Sequence, residues 1–128
     1  MGGVGFGPTT FQINDVLVRQ STLILPNSFF LWGSKSLEDI TIDSLSIFLT
    51  VHPRVEIVFI GTGKEVKSIP ENVTTFYRDK GIVLEVSDSR NAAATFNVMV
   101  LEGRQVGAAL LTMEPWIKRY KQTISPSL

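Results

Sequence analysis

Gly61-Thr62-Gly63 closes a run of β-branched residues and precedes a helical pattern, which is where α/β folds bind ligands. Phosphate chemistry there would need more than two glycines. A dinucleotide fingerprint has a third Gly opening the helix, and Lys64-Glu65-Val66 stands in its place. No GKS or GKT phosphate loop follows either, so a tight turn that lets the strand leave its sheet is the simpler reading. The densest polar cluster is Asp88-Ser89-Arg90-Asn91, at the expected start of a helix, where free backbone N–H groups and the dipole attract anions. Arg90 and Asn91 could touch a ligand or partner there. Asp and Ser are also preferred capping residues, which makes an ordinary cap the competing reading.

Ser87 and Ser89 invite a nucleophile assignment, but a nucleophilic serine needs a base. The one histidine, His52, belongs to a different helical segment, and no GxSxG elbow is present. Glu85, Asp88 and Glu102 could make an acid/base pair only if folding gathered a strand, a cap and a helix end. Thr95, Asn97, Glu102 and Arg104 bracket the third helix and its turn. A Glu at a helix C-terminus opposes the dipole, so pairing of Glu102 with Arg104 is expected to hold the turn or to face a partner. In the tail, Trp116, Lys118, Arg119 and Tyr120 mix aromatic and basic character, suited to an anionic membrane or a partner groove. Three cations in so short a piece hold a membrane weakly, and an extension packed back on the domain is the plainer alternative.

Composition narrows the chemistry further. The chain has no cysteine and a single histidine, which excludes disulfides, thiolate metal sites and a His-rich metal centre within one chain. Twelve acidic residues balance twelve basic ones, without the basic excess of a general nucleic-acid binder. With 44% hydrophobic and 19% charged residues, the 128-residue chain is expected to fold around one core. Its apolar runs, such as Val55 to Ile60, fall far short of the roughly 20 residues that span a membrane. No Lys or Arg precedes Arg19, and Phe6 stands where a myristoylation motif wants Ser or Thr. Neither a secretory signal, a transit peptide nor an acylation site is therefore expected in this stretch.

The elements that must position these groups are legible from periodicity. Short strands are expected through Phe11 and Ile13, Val16 to Val18, Thr22 to Leu25 and Phe29 to Trp32, with turns at Asn14-Asp15 and Pro26-Asn27-Ser28. Ile42, Leu45, Phe48 and Leu49 fall at helical spacing, with Thr41 as N-cap and Pro53 as stop. After the strand Val55 to Ile60, Ser68-Ile69-Pro70-Glu71 has the form of a capping box. It opens a helix that buries Val73, Phe76 and Tyr77 and ends at Gly81. Ile82 to Val86 is the next strand, a helix from Asp88 runs to Gly103, and Val106 to Leu111 is the last strand. Alternating helices and strands imply right-handed crossovers, hence a three-layer α/β domain with a parallel sheet core built from βαβ units and extra N-terminal antiparallel strands. One domain is expected over residues 1–112, its first ten residues flexible, with a C-terminal extension over 113–128.

Several of these stretches together resemble one small α/β family. They are Pro53-Arg54-Val55-Glu56-Ile57-Val58, Ile60 to Gly63, Gly81 to Val86, Asp88 to Asn97, Glu102-Gly103-Arg104 and Gly107 to Leu111, with Phe11 to Asn14, Leu25-Pro26, Trp32 and Asp43 to Phe48 upstream. The family is that of mitochondrial complex I (NADH:ubiquinone oxidoreductase) assembly factor 3, with its uncharacterised bacterial and archaeal relatives. The likeness runs over residues 10 to 112 in order, and the eukaryotic branch is the nearer. It implies a three-layer α/β domain with no enzymatic activity, no catalytic residue set and no cofactor. Family members pair with a second assembly factor and hold early subunits of the quinone-binding peripheral module at the matrix side of the inner membrane. Two departures stand out. Ser87 replaces the usual Met or Gln before the Asp-Ser pair, and Ala93 replaces a frequent Cys, which removes any redox role for that helix. The sequence after Thr112 lies outside the family pattern.

The expectation is therefore a non-enzymatic assembly factor or chaperone. It would dock through one polar rim made of Gly61-Thr62-Gly63, Asp88 to Asn91 and the Glu102 to Arg104 turn. Self-association is compatible with it, nucleic acid is not, and membrane association would be peripheral. The alternative is a small-molecule or anion-binding protein whose pocket is lined by Thr62, Asp88 and Arg90.

Overall fold

A computed structural model describes residues 21–33 and 36–112 in full, together with the backbone of 4–6, 11–13 and 16–18. Two sheets organise the described residues. β1 (Val4–Phe6), β2 (Phe11–Ile13) and β3 (Val16–Val18) form an antiparallel meander. β4 (Thr22–Ile24), β5 (Phe29–Leu31), β6 (Ile57–Gly61), β7 (Val83–Ser87) and β8 (Val106–Leu110) form a second sheet in the order β5-β4-β8-β6-β7. β6 runs parallel to both β7 and β8, while β4 pairs antiparallel with β5 and β8. The parallel core and the added N-terminal antiparallel strands are those expected. β1 is an addition: no strand was expected before Phe11, and its backbone pairs from Val4↔Ile13 to Phe6↔Phe11.

The β-period sorts this sheet's apolar side chains into two cores. On one face Leu23, Leu25, Val58, Ile60, Leu84, Ala109 and Leu111 meet Leu45, Phe48, Val73 and Tyr77. On the other, Ile24, Phe59, Val106, Ala108 and Leu110 meet Ala92, Ala93 and Phe96 of α2 (Ser89–Leu101). Small residues at Ala92, Ala93 and Ala108 let α2 and the sheet approach closely. α1 (Glu71–Asp79) covers the first face next to β7, so the layers are helix, sheet, helix. No helix among the described residues is long and apolar enough to cross a membrane.

The segment after Thr41 is a 3-10 helix, Asp43–Leu49, and not an α-helix. Ile42, Leu45 and Phe48 recur at every third residue, the spacing that stacks side chains on one edge of a three-residue turn. The N-cap of this 3-10 helix is Ile42 and not the expected Thr41, and it ends at Leu49, ahead of Pro53. Thr41 lies one residue earlier, where its Oγ1 accepts from the Ser44 N–H at 3.1 Å and Ser44 Oγ accepts from the Thr41 N–H at 2.9 Å. Leu45 and Phe48 are its buried residues, and Trp32 Nε1 donates to the Ser44 carbonyl at 3.2 Å.

The capping box expected at Ser68 to Glu71 does not form. Pro70 occupies the N-cap and Glu71 is the first helical residue, so Ser68 lies outside the helix and Glu71 comes two positions too early to reach back. The Pro70 carbonyl accepts from Val73 and Thr74 instead. Of the expected stripe, Val73 and Tyr77 are buried and Phe76 is half-buried, edge-on to Tyr77. The Tyr77 hydroxyl donates to the Ile42 carbonyl at 2.6 Å, fastening α1 to the 3-10 helix.

Candidate functional site

The C-terminal ends of β6, β7 and β8 meet at one end of the sheet. Backbone pairing continues past the strands there: the Thr62 N–H donates to the Ser87 carbonyl at 2.9 Å and the Leu111 N–H to the Gly61 carbonyl at 3.0 Å. β7 lies on one side of β6 and β8 on the other, and the chain runs from β6 through α1 to β7 and back through α2 to β8, which makes the gap between β6 and β8 the topological switch point. Ser89 closes that gap. Its Oγ accepts from the Gly63 N–H at 2.9 Å and donates to the Leu111 carbonyl, and its own N–H donates to the Gly63 carbonyl at 2.8 Å. The side chain is buried, and a Cβ on Gly61 would lie 2.7 Å from Ser89 Cα. Gly63 follows at φ +100°, a backbone conformation that favours glycine.

Thr62 is equally committed. Its hydroxyl donates to the Glu65 carbonyl at 2.7 Å and accepts from the Lys67 N–H at 3.1 Å, which folds residues 62–67 back on themselves. Gly61-Thr62-Gly63 is thus a turn whose polar groups bond within the protein.

Asp88 caps α2 as expected. Its Oδ1 accepts from the Asn91 N–H at 2.9 Å and its Oδ2 from the Asn91 side-chain amide at 2.6 Å. The Asn91 N–H is the main cause that holds the Asp88 carboxyl below the ordinary carboxylate range. The Ser89 and Ala92 N–H groups bond the Gly63 and Asp88 carbonyls. The place where a helix start would receive an external anion is therefore filled by the protein's own Asp88 carboxylate.

The third part of the expected rim lies elsewhere. α2 is antiparallel to the strands and 13 residues long, which puts Glu102 about 20 Å from Asp88. Glu102 is the exposed C-cap of α2 and Gly103 stops it at φ +77°. The expected Glu102 to Arg104 pair is absent. Arg104 instead meets Glu56 at 3.8 Å, both side chains being solvent-exposed, because the turn after α2 brings residue 104 beside the start of β6. One rim becomes two separate polar ends.

Ser87 Oγ donates to the Asp88 carbonyl at 3.2 Å. His52 lies ahead of β6, at the far end of the sheet from Ser87 and Ser89. Glu85 is exposed on β7, Thr95 is exposed on the outer side of α2, and Asn97 is half-buried. The tail residues Trp116, Lys118, Arg119 and Tyr120 lie outside the described residues.

Two clefts mark the two ends. One of about 300 Å³ is lined by Ser36, Leu37, Glu38, Lys64, Lys67 and Thr112, with Thr62 and Gly63 at its wall. Asp88 and Arg90 do not line it. The Ser36 hydroxyl is the main cause holding the Glu38 carboxyl below its ordinary range. The other, of about 210 Å³, is lined by Pro26, Pro53, Phe96, Val100, Arg104 and Val106, among others. Sequence reasoning missed Ser36, Leu37 and Glu38, because nothing in the local pattern indicates that this segment folds over the end of β6.

The fold and its switch point define a class: a helix–sheet–helix α/β domain whose switch-point turn and helix start bond within the protein, with a cleft beside them. Residues 4–111 match the family described as protein of unknown function (DUF498/DUF598), and the chain belongs to that family. It is 44% identical over 101 residues, 79% of this chain, to human "NADH dehydrogenase [ubiquinone] 1 alpha subcomplex assembly factor 3", of which those residues cover 55%. The Drosophila melanogaster protein of the same name is 31% identical over 84% of this chain and 56% of its own length. The chain spans about half the length of these animal relatives. An uncharacterized Rhodobacter capsulatus protein is 28% identical over 85% of this chain and 82% of its own. Among solved structures, a Bordetella parapertussis protein superposes with a TM-score of 0.79 at 25% identity, covering 86% of this chain and 94% of that one. A Bordetella pertussis Mth938-like domain, 20% identical, shares the fold at a TM-score of 0.79 over 93% of this chain and 90% of its own.

Proposed function

We propose that this chain is a non-enzymatic assembly factor of mitochondrial respiratory complex I. It binds a second assembly factor and subunits of the quinone-binding peripheral module, on the matrix side of the inner membrane, and acts there as a chaperone. The observation that carries this reading is the 44% identity over 79% of the chain to a human protein named as such an assembly factor. The chemistry of the site supports it. Ser87, Ser89 and Thr62 spend their hydroxyls on backbone groups, and Asp88 spends its carboxylate on a cap. A surface built this way recognises a partner through shape and through residues such as Lys64, Arg90 and Arg104. Affinity purification of the tagged chain from mitochondria is the test. Complex I subunits and a second assembly factor are expected in the eluate, and their absence would contradict the proposal.

The second reading, a small-molecule or anion site, draws on the 300 Å³ cleft beside Thr62. It expects Asp88 and Arg90 in the lining, and neither is there. A thermal-shift screen with nucleotides and phosphorylated metabolites separates the two readings. A ligand at a hundred times its dissociation constant adds about 2.7 kcal/mol of stability.

A further inference from the structure

The cleft of about 300 Å³ beside Thr62 carries four charged side chains, two of each sign. Glu38 comes from the segment that starts at Ser36. Lys64, Glu65 and Lys67 come from the loop after β6, and Leu37 and Leu111 add apolar lining between these two segments. All four charged residues are exposed, and none has an ion-pair partner among the described residues. Glu38 and Lys67 stand in a particular relation. After the Ser36 hydroxyl, the charge of Lys67 also helps to hold the Glu38 carboxyl low, so the two feel each other across the cleft. They are nevertheless too far apart for an ion pair, which needs about 4 Å.

The loop also leaves backbone donors open. Thr62 Oγ1 takes the Lys67 N–H, while the N–H groups of Lys64, Glu65 and Val66 meet no acceptor among the described residues. Consecutive free N–H groups in a turn, beside two ammonium groups, suit a carboxylate oxygen. A bare anion would gain that side of the cleft and be repelled by Glu38 and Glu65. A bare cation would gain Glu38 and be repelled by the two lysines. The charges of the lining cancel, so the ligand that gains on both sides is neutral as a whole and carries its two charges apart.

Resting on the small-molecule reading of this cleft, we propose that it binds a small zwitterion with a charge at each end. The carboxylate lies on the loop of Lys64 and Lys67, the ammonium group on Glu38, and an apolar stem runs between them along Leu37 and Leu111. A volume of about 300 Å³ stands at the small end of ligand sites, which suits a ligand of amino-acid size. Binding of this kind needs no catalytic group and is compatible with an assembly role.

An NMR titration of the isotope-labelled full chain with ε-aminocaproate, caproate and hexylamine, each up to about 10 mM, is the test. The zwitterion shifts the amides of Leu37 and Glu38 and those of Lys64 to Lys67 along one saturating curve. Caproate and hexylamine, which each keep the stem and one charge, bind at least about tenfold more weakly. Glu38→Gln lowers the affinity for ε-aminocaproate to that for caproate, and the double variant Lys64→Gln/Lys67→Gln lowers it to that for hexylamine. These side chains are exposed, so each variant keeps the spectrum of the folded chain. Caproate binding as tightly as the zwitterion, or unchanged ε-aminocaproate binding in folded Glu38→Gln, overturns the zwitterion and leaves the cleft a ligand site. Amides that respond to none of the three compounds overturn the zwitterion and the small-molecule reading together.

Discussion

Ser89 sits against Gly61 so closely that a methyl group on residue 61 would lie 2.7 Å from Ser89 Cα and 2.7 Å from its Oγ. The contact is with backbone, which cannot swing away as a side-chain tip would. Gly61→Ala must therefore push the start of α2 off the sheet. A loss of about 1–3 kcal/mol of unfolding free energy is expected, read by urea denaturation at unchanged m-value.

Removing the Ser89 hydroxyl tests the same junction from the other side. Ser89→Ala leaves the Gly63 N–H and the Leu111 carbonyl buried without their partner, at a cost of about 1–3 kcal/mol. Amide exchange at Gly63 should speed up before exchange elsewhere in β6. A variant as stable as the parent would show that the hydroxyl is not structural.

Asp88→Ala removes the α2 cap and is expected to cost about 1 kcal/mol. The pH dependence has a definite sign. Because the folded-state carboxyl titrates below its ordinary range, its contribution is present above the unfolded pKa and is lost as pH falls through the folded one. Acid unfolding monitored by circular dichroism should lose this dependence in Asp88→Ala.

Tyr77 gives the opposite window. Burial, followed by the charge of Asp43, pushes its phenol up to about 12. The unfolded phenol ionises near 10 and the folded one does not, so stability is intact below about pH 10 and falls until the folded pKa is passed. Tyr77→Phe should abolish this alkaline loss. It should also be less stable at neutral pH by about 1–2 kcal/mol, because the Ile42 carbonyl loses its donor.

Residues with a strong local signature were readable in the sequence. Asp88 with Asn91, and Gly81 and Gly103 at their helix ends, act through neighbours within a few positions, and each lies where periodicity put it. The runs Val55 to Ile60 and Val106 to Leu111 were likewise readable as strands, and the structure sorts Val58, Ile60 and Ala109 to one face and Phe59 and Ala108 to the other. What escaped depends on contacts between distant segments. Arg104 was assigned to Glu102, two positions away, but its partner Glu56 is 48 positions away and is reached only because α2 reverses along the sheet. The single polar rim failed for the same reason, since helix length and direction separate residues that look equally terminal in sequence. Ser68 misled because a proline two residues later takes over the helix start.

The central claim is a role in building complex I. Its most direct test is deletion of the gene in the cells it comes from, with native-gel analysis of respiratory complexes and NADH:ubiquinone activity. The account predicts loss of mature complex I, accumulation of early peripheral-arm subunits and restoration when this chain is re-expressed. Full assembly and unchanged activity in the deleted cells would contradict it.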